Sequence, residues 1–296
     1  MPCPICKSPL TDCFTARVLN KYDARYRVCD SCGFLGAHSP HWLAEAHARA
    51  IADADTGMVL RNLSLAPRIA GVLYWALAER GTGRYLDTAG GYGMLTRLMR
   101  DLGFDFHWHD DYCPNVLAPG FSFRQESRPY RAVTAVEVFE HLPDPKGFVE
   151  ETLAMAAAGT LIFTTLLYEG PPPPQSWWYY SFATGQHVGF FQRRTLERLA
   201  AELGLQFATA QGIHVLSREP ISGRALGFAA HRAVALGSLW WVRKRLGAKT
   251  VADHELMLSR GGTATGREDT GLCGGAGGLR PRSGPEEAPA RKDRRG

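Results

Sequence analysis

A glycine-rich turn between a predicted strand and a predicted helix most limits how this 296-residue chain can fold. Residues 84–88 form a short predicted strand, the turn DTAGGYG spans residues 87–93, and residues 94–102 carry apolar side chains at helical spacing. Strand, glycine turn and helix in this order create a ligand site at the carboxyl edge of a sheet, because small residues let a ligand approach the backbone closely. The pattern therefore predicts an α/β fold with a binding site at this turn.

Strands and helices continue to alternate along most of the chain. Further strands are predicted at 105–109, 132–138, 160–167, 205–208 and 212–216, and further helices at 41–51, 66–80, 148–157 and 192–203. Alternation over this length predicts a doubly wound, mostly parallel sheet.

The glycine turn fits neither of two common nucleotide-binding motifs. Gly91-Tyr-Gly93 is followed by Met-Leu-Thr, so the third glycine of a dinucleotide fingerprint is missing. No lysine follows, so the turn is not a phosphate loop. What remains is Asp87 at the strand end, followed by small residues at every second position.

Three stretches of the sequence resemble class I S-adenosylmethionine-dependent methyltransferases. Segment 85–93 (YLDTAGGYG) resembles the family's first motif, with Ala89 in place of its first glycine, which alanine can replace if the backbone angles are ordinary. Segment 135–145 (AVEVFEHLPDP) resembles the stretch after the fourth strand, and 185–191 (GQHVGFF) resembles the stretch before the last strands. The resemblance covers roughly residues 80–218. It implies a seven-stranded Rossmann-like methyltransferase sheet and S-adenosylmethionine as the cofactor.

The same resemblance implies a cofactor site at the ends of the strands. Asp110, 23 residues after Asp87, would accept the ribose hydroxyls, with Asp111 as the second candidate. Glu137 would lie beside the cofactor at the end of the fourth strand. The cofactor-binding residues expected on this basis are Asp87, Ala89, Gly90, Gly91, Gly93, Asp110, Asp111, Glu137 and Val138.

His141 and His187 are the candidate catalytic residues. Methyl transfer is an in-line displacement, so the protein positions the reactants and, where needed, removes a proton from the acceptor. A neutral imidazole can take that proton. The alternative for each histidine is a structural hydrogen bond, and the sequence leaves both open.

Four of the seven cysteines form two Cys-x-x-Cys pairs, Cys3 with Cys6 and Cys29 with Cys32. The two-residue spacer lets both thiolates of a pair point at one ion, so the pairs predict a structural Cys₄ zinc ribbon. Reduced cysteines or a redox pair are the alternative. A ribbon ahead of this fold is similar to the layout of deoxysugar C-methyltransferases, which implies a small polar or sugar-type acceptor and O- or C-methylation. An RNA- or ribosome-directed methyltransferase and a cofactor-free binding module are the alternative functions.

The net charge of +5 is concentrated near the C-terminus. Residues 224–249 hold six basic and no acidic residues and predict a basic amphipathic helix, for contact with an anionic membrane or a protein surface. The glycine-rich tail 261–296 carries +2 and is predicted to be disordered. The rest of the chain therefore sums to −3, which makes a nucleic-acid partner unexpected.

These observations divide the chain into five predicted parts. They are a zinc ribbon (1–39), a helical linker (40–80), a methyltransferase domain (81–220), the basic C-terminal helix (221–260) and the tail (261–296). The sequence contains no apolar run of about 18 residues and starts without an apolar signal region, so a cytoplasmic protein is expected.

Overall fold

The computed structural model describes residues 2–48, 53, 55–77, 80–125 and 128–261, so the predicted disordered tail lies outside the described residues apart from Gly261. The strands are β1 (Thr11–Val18), β2 (Tyr22–Val28), β3 (Leu35–Ala37), β4 (Arg84–Thr88), β5 (Asp105–His109), β6 (Ala132–Val136), β7 (Thr160–Thr164), β8 (Gly189–Phe190), β9 (Gln206–Ala210) and β10 (Ile213–Ser217). The helices are α1 (Leu43–Ala46), α2 (Met58–Gly71), α3 (Met94–Asp101), α4 (Pro145–Met155), α5 (Arg193–Glu202), α6 (Gly223–Ala230), α7 (Arg232–Leu246) and α8 (Thr250–Gly261). A π-helical turn, Val72–Ala76, extends α2.

The main sheet has the order β5-β4-β6-β7-β10-β9, with β5, β4, β6 and β7 parallel and β10 antiparallel to both of its neighbours. Both faces are covered. Val133 and Ala135 of β6 lie in one apolar cluster and Ala132 lies in another, as the two-residue period of a strand requires. The chain leaves β4 first for β5 on one side and later for β6 on the other. This arrangement confirms the Rossmann-like α/β fold and places the topological switch point at the carboxyl end of β4.

The sheet has six strands in the described residues, so the prediction of seven was wrong there. At the outer edge of β5, only Ser122 bridges to Trp108, and the backbone of Phe121 and Phe123 hydrogen bonds to Trp108. Pro119 and Pro129 bracket this short segment, and proline lacks the N–H that a paired strand would donate.

A second, antiparallel sheet has the order β1-β2-β3-β8. Its fourth strand comes from far along the chain, since Leu35 pairs with Phe190 and Gly36 with Gly189. The sheet packs over a core that includes Trp42 and Tyr180. The N-terminal ribbon is therefore continuous with the rest of the structure, and the predicted five-part division of the chain stays a prediction.

Three helices replace the single C-terminal helix that the sequence predicts. The chain breaks at His231, where φ is −67° and ψ is 126°, so α6 and α7 are separate helices and residues 224–249 do not form one continuous amphipathic helix. Trp240 and Trp241 on α7 are exposed. No helix in the described part of the chain has the length and apolar character needed to span a bilayer. Membrane or protein contact through residues 224–249 stays a prediction.

A buried ion pair docks α8 beside α3. The guanidinium of Arg100 donates two hydrogen bonds to the carboxylate of Asp253, at 2.8 and 2.7 Å, and a further one to Asp105 at 2.8 Å. Arg97 lies 2.9 Å from the same Asp253 carboxylate. Asp253 keeps a lowered pKa because these hydrogen bonds and positive charges outweigh its burial. These charged contacts thus hold α8 beside α3.

Replacing Asp253 by alanine should therefore destabilise the fold strongly. The change leaves the Arg100 guanidinium buried with only part of its partner set, and breaking a buried pair costs about 3 kcal/mol. Urea denaturation measures this loss. Glu197→Ala, which removes an exposed pair with Arg193, is the control and should cost less than about 1 kcal/mol. Equal losses in the two variants would contradict the assignment.

Candidate functional site

Asp87 lies at the centre of the predicted ligand site and is almost fully buried. Its Oδ1 accepts a hydrogen bond from Thr134 on β6 at 2.7 Å, and its Oδ2 accepts one from Thr96 on α3 at 3.3 Å. Burial raises the pKa of Asp87 to about 7, with a further contribution from the charge of Asp110, although the two threonine hydroxyls oppose the shift. The residue joins β4, β6 and α3 at the switch point.

The glycine turn is built from left-handed backbone. Gly91 has φ 55° and Gly93 has φ 84°, which glycine adopts at no steric cost. Ala89 also has a positive φ, 48°, so the ordinary backbone angles under which alanine readily replaces glycine are not present at this position. A Cβ on Gly90 would lie 2.8 Å from Asp87 Oδ2 and 2.9 Å from Trp108 Cδ1. Close packing of Gly90 against Asp87 and Trp108 thus fixes the position of the turn at the sheet edge.

Asp110 closes the turn from the end of β5. Its Oδ2 accepts a hydrogen bond from the Gly91 amide at 2.8 Å, and its Oδ1 accepts from the amides of Tyr112 and Cys113 at 2.7 and 2.8 Å. The carboxylate therefore shapes the loop and still has lone pairs for a ligand. Asp111 differs, because its side chain is 79% exposed and its Oδ1 lies 3.8 Å from His109 Nε2.

Glu137 ends β6, and its left-handed backbone, with φ 53°, explains why this strand is shorter than predicted. Its amide donates to Thr164 Oγ1 at 3.0 Å, and the Thr164 hydroxyl donates back to its Oε1 at 2.7 Å. This exchange ties the ends of β6 and β7 together. Val138, the next predicted cofactor residue, is buried.

The structure brings both candidate catalytic histidines together with Glu140. One ligand atom of each of Glu140, His141 and His187 lies within 4.8 Å of those of the other two. His141 Nδ1 lies 3.2 Å from the Gln186 carbonyl oxygen, and His187 Nδ1 lies 2.7 Å from that of Tyr179. Burial lowers the pKa of both histidines, and His187 lowers that of His141 further. The neutral imidazoles that result are compatible with either role expected from the sequence.

Aromatic rings connect this cluster to the loop of Asp110. The ring of Tyr112 lies 5.9 Å from that of His47, which lies 5.7 Å from that of His141. The ring of His141 lies 4.9 Å from that of His187, which lies 4.8 Å from that of Tyr179. Ring contacts therefore link the loop of Asp110 to the histidine cluster.

The four paired cysteines also come together. Cys3 Sγ lies 3.6 Å from Cys32 Sγ, and Cys6 Sγ lies 3.5 Å from Cys29 Sγ, with all four sulfurs within 4.8 Å of one another. Four thiolates at about 2.3 Å from a tetrahedral zinc ion lie about 3.8 Å apart, so this arrangement fits zinc. Left-handed residues follow each pair, Lys7 with φ 61° and Gly33 with φ 75°, and they turn the chain back around the sulfurs.

The family model described as "Methyltransferase domain" matches residues 55–210, which is more than half of the chain. The chain belongs to the methyltransferase domain family. The match includes the glycine turn, Asp110 and the histidine cluster. No curated protein matches the chain.

Several solved methyltransferases are similar to this one. An O-methyltransferase family 2 protein from Planctomyces limnophilus, solved in complex with apigenin, is 17% identical over 60% of this chain and 65% of its own, with a TM-score of 0.39. The plantazolicin methyltransferase BpumL, in complex with SAH, is 11% identical over 70% of this chain and 90% of its own, at 0.43. A possible histamine N-methyltransferase from Thermotoga maritima is 11% identical over 60% of this chain and 100% of its own, at 0.43. The chain thus spans just under two thirds of the apigenin-bound protein.

Sequence reasoning missed several residues of this candidate site. Glu140 lies within the matched segment 135–145, yet nothing in the pattern separates it from Glu137. Thr134 and Thr164 look like ordinary strand residues, although each holds a carboxylate. Tyr179 belongs to an aromatic run whose contacts are set by tertiary structure, and its hydroxyl accepts a hydrogen bond from the Leu166 amide.

Replacing Asp87 by asparagine should change how stability depends on pH. The folded-state pKa of about 7 lies above the ordinary value of 3.8, so wild-type stability falls as pH rises from about 4 to about 7. Asparagine carries no charge, so the free energy of unfolding of Asp87→Asn should not show this fall. Between pH 4 and pH 8 it should therefore rise relative to that of wild type by on the order of 4 kcal/mol. Urea denaturation across this range measures the difference. Asp111→Asn should show the same pH dependence of stability as wild type. If Asp87→Asn shows it too, the raised pKa of Asp87 is contradicted.

Proposed function

We propose that this protein is an S-adenosylmethionine-dependent methyltransferase acting on a small polar or sugar-type acceptor by O- or C-methylation. One observation carries the proposal. A left-handed glycine turn at the switch point of the sheet, closed by Asp110, is linked by ring contacts to a partly buried cluster of two histidines and a glutamate. Binding turn and polar cluster together form a site for two reactants, in a chain of the methyltransferase domain family.

The turn and the strand ends would hold the cofactor. The remaining lone pairs of Asp110 suit ribose hydroxyls, and the backbone of residues 89–93 lets a ligand approach closely. Glu137 and Val138 line the neighbouring strand end, where one offers polar and the other apolar contact. When bound, S-adenosylmethionine supplies an activated methyl group, so the protein's own contribution is orientation and control of the acceptor.

His141 and His187 are proposed to face the reacting group of the acceptor. Their Nδ1 atoms face backbone carbonyls, which accept but cannot donate, so Nδ1 carries the proton and Nε2 offers a lone pair. A small acceptor is favoured because the chain outside residues 224–249 and 261–296 has a net charge of −3, which does not attract a polyanion. The ribbon layout supports a sugar-type acceptor.

The cysteine cluster is proposed to hold one structural Zn²⁺. A complete Cys₄ shell leaves no open position, so the ion would stabilise the fold and take no part in chemistry. Its surroundings support this role. Thr195 Oγ1 donates to the Cys32 carbonyl at 2.8 Å, and Tyr168 Oη donates to the Gly33 carbonyl at 2.6 Å. The turn around the second pair is thus bound to the methyltransferase part.

Isothermal titration calorimetry with S-adenosylmethionine tests the cofactor assignment. Wild type should bind about one equivalent, and Asp110→Ala should bind at least about tenfold more weakly, since a charge-assisted hydrogen bond is worth about 1.5–3 kcal/mol. Asp111→Ala, with its exposed side chain, should bind like wild type. No heat with wild type, or wild-type affinity in Asp110→Ala, would end the proposal in this form.

Removal of the cysteine cluster tests the zinc assignment. Cys29→Ser/Cys32→Ser should lose one zinc equivalent relative to wild type and unfold roughly 10 °C lower, because bound metal contributes directly to folding. Metal analysis and thermal unfolding provide the two readouts. Cys13→Ser is the matched control, since Cys13 lies outside the cluster, and it should keep the zinc of wild type. Equal zinc content in all three proteins would refute the assignment.

A further inference from the structure

Glu140 is the least satisfied polar side chain near the site. It is 1% exposed, and neither of its carboxylate oxygens has a hydrogen-bond partner in the described residues. The hydroxyls of Thr165 and Tyr179 lie nearby, but neither makes a hydrogen bond of normal geometry to it. Leaving a buried carboxylate without partners is costly, so its surroundings should contain the group that compensates it.

The described charges around Glu140 do not compensate it. Arg61 is close enough that Glu137 and Glu140 help to raise its pKa. Its guanidinium already donates to both oxygens of Asp55, at 3.0 and 2.6 Å. Three carboxylates, those of Asp55, Glu137 and Glu140, therefore share one guanidinium. The two Glu140 oxygens are therefore left for a further group.

The two histidines are oriented as metal ligands usually are. In metal sites, one imidazole nitrogen binds the ion while the other donates to a carbonyl or a carboxylate, which fixes the ring. His141 and His187 make that second interaction through Nδ1 to Gln186 and Tyr179. One ring nitrogen of each histidine and one Glu140 carboxylate oxygen lie within 4.8 Å of one another.

We propose that Glu140, His141 and His187 bind a divalent first-row metal ion. One carboxylate and two imidazoles are a ligand set found with zinc, manganese and iron, and three protein ligands leave positions open for a substrate. This inference rests on the proposed function and specifies its acceptor side. The acceptor would present an oxygen to the ion, which lowers the pKa of a bound hydroxyl. The histidines then hold the ion, and the proton leaves the activated hydroxyl to water.

Mn²⁺ is the probe that separates this site from the cysteine cluster, because it prefers oxygen and nitrogen ligands to thiolates. The full-length protein is freed of loosely bound metal and titrated with Mn²⁺ alone, and electron paramagnetic resonance measures the free ion. Wild type should bind about one Mn²⁺, and the pulsed spectrum should show coupling to imidazole nitrogen. Glu140→Gln and His187→Ala should each bind at least about tenfold more weakly.

Glu197→Gln, an exposed acidic residue on α5, is the control and should bind Mn²⁺ like wild type. Glu140→Gln should also bind S-adenosylmethionine like wild type, which shows that it is folded and keeps this test distinct from that of the cofactor. If wild type binds no Mn²⁺, binds it without imidazole coupling, or binds it no better than Glu140→Gln and His187→Ala, the metal site is refuted. Those results would leave the cofactor assignment standing, whereas loss of S-adenosylmethionine binding alone would leave the metal site standing.

Discussion

The hydrogen bonds of Asp87 hold together the elements that form the ligand site. The carboxylate accepts from Thr134 on the adjacent strand β6 and from Thr96 near the start of α3. Gly90 packs directly over it, and Trp108 on β5 donates to the Gly91 carbonyl at 2.8 Å. The position of the glycine turn thus depends on a buried polar contact at the sheet centre. Apolar packing on the two faces stabilises the sheet, but it could not by itself fix the orientation of this turn.

Polar groups are concentrated at one edge of an otherwise apolar sheet. The carboxyl ends of β4, β5, β6 and β7 carry Asp87, Asp110, Glu137 and Thr164, and each makes hydrogen bonds that connect neighbouring elements. Burying such groups costs stability unless they are paired. The side chains at this edge are therefore held in place by hydrogen bonds and still have lone pairs for a ligand, and a binding site needs both. Glu140 is the extreme case, being buried with neither oxygen paired in the described residues.

How far the sequence predicts this structure depends on how local each determinant is. The bounds of β4 and β5 follow from short apolar runs and the glycine turn, and they were predicted to the residue. β6 and β7 were predicted too long, because the left-handed Glu137 and its exchange with Thr164 end the pairing, and neither feature has a local signature. The break at His231 and the docking of α8 through Arg100 likewise arise from tertiary contacts.

The candidate site was predictable to a similar extent. The residues implied by family resemblance fall at one sheet edge, whereas the role of Glu140 depends on His187, which is distant in sequence. Sequence spacing could place each histidine in a motif, but it could not show that both histidines lie beside Glu140. That juxtaposition depends on how the segment around His187 is held.

The ribbon holds that segment against the site. Gly189 and Phe190 pair with β3. The adjacent Val188 amide donates to the Glu140 carbonyl at 2.7 Å, so the chain directly after His187 is fixed. Trp42, just after the ribbon, donates from Nε1 to the Gly185 carbonyl at 2.9 Å and restrains the start of the same segment. The N-terminal ribbon therefore helps to hold the segment that carries His187. The stability of the ribbon and the geometry of the histidine cluster are thus physically linked.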